Sequence, residues 1–166
     1  MGTGYNPLYG GNGGTSNGYR PSSLISAKTL QHASKGDYTH PDNDPNRFRL
    51  SGGGHGQECI DFLEEHHIKY NINHVYPNGV RVGNVPRHKD RYKRTGNSQS
   101  WFPKDWSAKT IRDAGEHVAS LKKNQNVGDG KTIWGMYKDV RVGVIKTNGK
   151  IGTIFPDSKQ KKEAIR

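Results

Sequence analysis

The stretch TIWGMYKDVRVGVIKTNGKIGTIF, Thr132 to Phe155, decides the fold. Its runs TIWGMY, VRVGVIK and KIGTIF alternate apolar with polar or small residues, the period of strands that bury one face. Asn148-Gly149 separates the second run from the third and suits the two-residue turn that joins antiparallel neighbours. The reading is an antiparallel meander entered through a glycine-rich loop around Gly128 to Gly130. Upstream, Asp105, Trp106 and Ser107 precede SAKTIRDAGEHVASL, where Ile111, Ala114, Val118 and Leu121 recur at spacings of three or four. That spacing predicts an amphipathic helix lying against the sheet. The segment from Tyr70 to Val85 alternates on both sides of Pro77-Asn78-Gly79 and predicts a β-hairpin. From Gly56 to Ile68 a helix is expected with Cys59, Ile60, Leu63 and His67 on one face. Helices followed by hairpin, helix and meander predict an α+β fold with N-terminal helices packed on antiparallel sheet.

The remaining segments are weaker in pattern. Residues Pro21 to Ser34 predict a short helix with Leu24, Ile25 and Leu30 near one face, capped by Ser22 or Ser23. Between Lys35 and Asn46 the Pro, Asp and Asn residues of GDYTHPDNDPN predict a loop carrying His40. Met1 to Arg20 mixes Gly, Asn and isolated Tyr without a period, as a flexible linker does. The expected organisation is therefore a linker with a short helix over 1–36, one domain over 37–158 and a charged tail over 159–166. A length of 166 residues suits a single core, and only 30% of the residues are hydrophobic.

Lys and Arg number 26 against 15 Asp and Glu, a net charge of +11 that favours polyanionic partners. The charge is concentrated: Arg81, Arg87, Lys89, Arg91, Lys93 and Arg94 face a single acid, Asp90, within fourteen residues. Tyr92 lies in this cluster, and Trp101, Phe102 and Trp106 follow it. Cations interleaved with aromatics suit phosphate neutralisation and base stacking on single-stranded nucleic acid. Phe102 and Trp106, beside a helix start, more simply pack as core.

Several chemistries are excluded. One cysteine, Cys59, allows neither an intramolecular disulfide nor a thiolate zinc cluster. There is no HExxH, GxSxG or phosphate-binding Walker loop, and GGGHG is too short for a dinucleotide fingerprint. No apolar run reaches the length of a membrane span, and Met1 to Arg20 lacks a secretory signal, so export would depend on residues outside this sequence. A glycine run before a helix start is a plausible anion seat. Eight histidines supply acids and bases near neutral pH. RNA cleavage needs little more: a base for the 2′-OH proton, an acid for the 5′-oxygen and a cation for the phosphate charge.

Four motifs occur together in order: RLSGGGHGQE at Arg49 to Glu58, YPNGVRVGNVPRHK at Tyr76 to Lys89, QSWFPKDWS at Gln99 to Ser107, and NGKIGTIFPD at Asn148 to Asp157. Together they resemble the bacterial EndoU nuclease domain, a C-terminal toxin tip with an RNase A-like fold, over about Tyr38 to Asp157. The resemblance implies an endoribonuclease, uridine-preferring or directed at tRNA, that leaves 2′,3′-cyclic phosphate ends. It implies no required cofactor and no metal ligands, a divalent metal being at most stimulatory. It also implies a larger secreted toxin that acts in the target-cell cytoplasm and a cognate immunity protein. An acidic partner would complement the basic stretch.

The family's glycine-flanked histidine falls on His55, and its upstream partner on His40, with His74 and His88 as rivals. The lysine before the SWFP-like stretch falls on Lys93, with Lys89 in reserve. Thr153-Ile154-Phe155 stands where the family carries Thr-x-Tyr, so Phe155 can stack on a base but offers no hydroxyl. Ser98 and Ser100 are further candidates for the uracil, and Arg87, Lys89 and Arg94 for phosphates. Two other readings compete: an RNA-binding module without catalysis, and a metal-dependent DNase toxin.

Overall fold

The computed structural model describes residues 25–39 and 48–160. Three α-helices and three small antiparallel sheets make an α+β fold. The C-terminal sheet comprises β6 (Thr132–Tyr137), β7 (Val140–Thr147) and β8 (Lys150–Pro156), in the order β6-β7-β8. It is the meander that the sequence predicts. Both connections are tight: Lys138 and Asp139 have φ of 49° and 65°, and Asn148 and Gly149 have 54° and 76°. Successive left-handed residues match the twist of the flanking strands.

One face of this sheet buries Ile133, Val142, Val144, Ile151 and Ile154 against α3 (Ala108–Ser120), which contributes Ile111, Ala114 and Val118. Ser107 caps α3 by accepting from the Thr110 amide at 3.2 Å. α1 (Ala27–Ser34) adds Leu30 and Ala33 to the same core, preceded by Ile25. Its cap is Ser26, which accepts from the Thr29 amide at 3.1 Å, and the proposed caps Ser22 and Ser23 lie outside the described residues. Burial of Leu30 and Ala33 places α1 within the folded unit.

A second core, Leu50, Cys59, Leu63, Ile68, Val85 and Trp101, lies under α2 (Gln57–Glu65). Trp101 and Phe102 are fully buried and Trp106 nearly so, which makes all three packing residues. His67, expected on one face of α2 with Cys59, Ile60 and Leu63, instead follows the helix at φ 56° and is exposed. One strand, β1 (Asp37–Thr39), falls within the predicted loop region and pairs antiparallel with β2 (Arg49–Gly52), which follows it. The central sheet is the predicted hairpin, β3 (Asn71–Val75) with β4 (Arg81–Asn84), extended by β5 (Gln99–Trp101). Among the described residues no helix is long and apolar enough to cross a membrane.

Candidate active site

The glycine run earns its composition by close packing. Amides of Gly54, His55 and Gly56 donate to the carbonyls of His32, Ala33 and Ser34 at 2.9, 2.7 and 2.9 Å. The run thus lies along the C-terminal end of α1 and satisfies carbonyls that a helix end leaves open. Gly53 and Gly54 have φ of 61° and 76°, and a Cβ on Gly53 would overlap the His32 carbonyl. The amides of the run itself are thus taken up by α1, and Ser34 Oγ donates to Glu58 in the first turn of α2 at 2.6 Å.

This packing fixes His55. Its amide is bound to Ala33, its carbonyl accepts from the Phe102 amide at 2.7 Å, and Nδ1 donates to the Ser100 carbonyl at 2.8 Å. A carbonyl can only accept, so Nδ1 carries the hydrogen and Nε2 of the neutral ring is the free base. Burial, reinforced by the charge of Lys93, pushes the His55 pKa down to about 3, against the opposing pull of the Ser100 carbonyl. The imidazole is a neutral base across the physiological range.

His55 opens on a cavity of about 690 Å³. One part of its lining is the turn from Tyr92 to Ser98; the other is the outer surface of the C-terminal sheet, with Trp134, Thr153 and Phe155. Alternation along β8 explains the second part: Ile154 enters the core, so Thr153 and Phe155 face away from it. Trp134, Gly143 and Phe155 are register partners on three adjacent strands. A Cβ on Gly143 would come within 2.7 Å of Phe155 and 2.8 Å of Trp134, so its hydrogen lets the two rings meet, with centroids 5.7 Å apart. The Phe155 ring lies 6.0 Å from that of His55. Arg141 stacks on Trp134 at 4.2 Å and pairs with Asp157, the one carboxylate of the lining.

Lys93 Nζ donates to the Ser98 carbonyl at 2.8 Å, and burial pulls its pKa below the usual lysine range. Ser98 Oγ donates to the carbonyls of Tyr92 and Thr95, and Ser100 Oγ to that of Pro156 at 3.0 Å, tying β5 to β8. Both hydroxyl hydrogens are engaged with backbone. Among the described residues no three His, Cys, Asp or Glu side chains converge as a metal centre would require.

Residues 26–158 match the bacterial EndoU nuclease family. The chain belongs to that family. Neither a curated protein nor a solved structure matches it. The EndoU match starts at the α1 cap and ends beyond β8, so it takes in every helix and strand described and nearly all of both cores and of the cavity lining. Membership makes nucleic acid the substrate class.

Within the EndoU domain, His55, Lys93, Ser98, Ser100, Thr153 and Phe155 meet at one cavity. His40 lies outside the described residues. Its rivals stand elsewhere: His74 is exposed on β3 against Tyr76, and His88 is buried, its Nδ1 accepting from the Asp90 amide at 2.8 Å. Burial and then Lys93 push the His88 pKa down to about 4. Arg94 donates to the carbonyls of His88 and Lys89 and shapes the turn, while Arg87 and Lys89 are exposed outside the cavity. Arg81 is buried and donates to Gln57 and Phe102 carbonyl, which removes it from the basic surface.

His32, which carries no motif of its own, lies against the glycine run beside His55. Its ring packs against Gly53, and Nδ1 bonds Asp37 Oδ2 at 2.7 Å. Its only sequence signal is a histidine at the end of an amphipathic helix, which does not disclose the glycine run folded onto that helix.

Proposed function

We propose that this chain is an endoribonuclease that cuts by transesterification. The ribose 2′-oxygen bonds to phosphorus as the bond to the 5′-oxygen breaks, giving a 2′,3′-cyclic phosphate and a 5′-hydroxyl. His55 Nε2 takes the 2′-OH proton, and a second histidine gives its proton to the leaving 5′-oxygen. Lys93 stabilises the charge that grows on the phosphoryl oxygens. The observation that carries this reading is His55, held neutral by burial with Nδ1 on the Ser100 carbonyl, in one cavity with Lys93.

For the second histidine, the role assigned by resemblance to His40, we assign His32, which lies outside the cavity lining but against the glycine run that carries His55. Asp37 holds Nδ1 and leaves Nε2 for the proton transfer. The Thr153 and Phe155 surface takes the base of the attacking nucleotide, with uridine as the preferred base. A larger secreted toxin, action in a target cytoplasm, tRNA as a substrate and an acidic immunity protein complete the proposal; the basic turn beside the cavity gives such a partner its complement.

End-group analysis of cleaved RNA tests it. Cyclic phosphate ends are expected with and without EDTA, reduced on the order of 10³-fold by His55→Ala. His32→Ala should match that loss while His40→Ala stays near wild type; the reverse ranking returns the role to His40. RNA that is bound but never cut would leave an RNA-binding module instead.

A further inference from the structure

Tyr92 is 75% exposed, the most exposed large hydrophobic residue described, and it lines the cavity that holds His55. Its backbone is nonetheless fixed. The Tyr92 amide donates to Asp90 Oδ1 at 3.0 Å and its carbonyl accepts from Ser98 Oγ at 2.7 Å. In the two residues that follow, the Lys93 carbonyl accepts from the Val85 amide at 3.0 Å and Arg94 Nε donates to the His88 carbonyl at 2.6 Å. Among the described residues the Tyr92 ring has neither a stacking partner nor a hydrogen bond from its hydroxyl. A short 3-10 turn, Arg91–Arg94, thus presents an aromatic ring to solvent from a rigid base with cations on both sides.

The fold makes no use of this ring, and burying it would favour any ligand that offers a flat apolar face. A nucleobase offers one, and the adjacent Arg91 and Lys93 suit the phosphates that accompany it. The cavity already has a separate aromatic surface at Phe155 and Trp134. Two aromatic surfaces bordering one reactive centre match two successive bases of a strand.

We propose that Tyr92 stacks on the base of the nucleotide on the leaving-group side of the scissile phosphate, forming a second nucleotide subsite. The proposal rests on the RNA-cleaving reading and adds a contact that reading does not need. It makes the enzyme sensitive to the presence of a base on that side, with little discrimination among bases, because every base has a face to stack.

The test is a cycle between protein and substrate. Short oligoribonucleotides with one cleavable ribonucleotide linkage carry either a base or an abasic site at the leaving-group position. For the wild type, kcat/KM should be about tenfold or more higher with the base present. Tyr92→Ala should bring that ratio close to one, and Tyr92→Trp should restore it. A ratio unchanged by Tyr92→Ala, or a Tyr92-dependent ratio only for abasic sites on the attacking side, would overturn the subsite. If the wild type cuts neither substrate, the cleavage reading fails by itself. Equilibrium binding of the same oligomers with a 2′-deoxy linkage then decides the subsite: a Tyr92-dependent preference for the base upholds it, and equal binding overturns it.

Discussion

His55 shows how surroundings set the protonation and tautomer of one side chain. A free imidazole would be partly protonated at neutral pH, whereas here burial and Lys93 favour the neutral form and the Ser100 carbonyl selects the tautomer. A base whose pKa lies below 6.5 stays competent as pH falls, so the acid limb of kcat/KM in the free enzyme should lie well below pH 6.5. Replacing Lys93 by Ala removes the second cause of the depression and should move that limb upward, together with a loss of about 10² to 10³ in kcat. A limb that stays in place while kcat falls would show that Lys93 does not act on His55. His55 was legible in the sequence because its glycines are a local motif. His32 was not, because its proposed role depends on α1 packing against a run more than twenty residues away, with the stretch around His40 in between.

At the scale of elements, the meander and α3 were legible because each carries several turns or pleats of its own period. β1, β2 and β5 are three or four residues long, too short for a period to show, and β5 is buried on both faces, so it has no alternation at all. The aromatic surface was also hidden: Trp134 and Phe155 are 21 positions apart and meet only because Gly143 stands between them in register. Gly143→Ala therefore should push the two rings apart. The expected outcome is a rise in KM of about tenfold with a stability loss of roughly 1 to 3 kcal/mol. Near-UV circular dichroism would register the ring displacement, and an unchanged KM with an altered spectrum would remove the pair from substrate contact.

Across the whole molecule, two cores meet at a site that carries more positive than negative groups. His55 and His88 are neutral in the folded protein, with pKa values of about 3 and 4, but take protons near 6.5 once unfolded. Between those limits the unfolded chain binds more protons, so stability falls as pH drops from about 6.5 toward 4. Urea midpoints measured from pH 7.5 to 4.5 should decline, and His88→Gln should flatten that slope. A slope unaffected by the substitution would assign the acid sensitivity to the carboxylates. The same concentration of positive groups should make RNA affinity fall steeply with salt.

The central claim is that the substrate's own 2′-hydroxyl attacks the phosphorus, with His55 as its base. A single 2′-deoxy substitution at the cleaved nucleotide of an otherwise natural RNA tests it most directly, with binding followed in parallel. Loss of cleavage at that linkage, with affinity retained and neighbouring linkages still cut, is the result this account expects. Cleavage of the 2′-deoxy linkage at a comparable rate would contradict it.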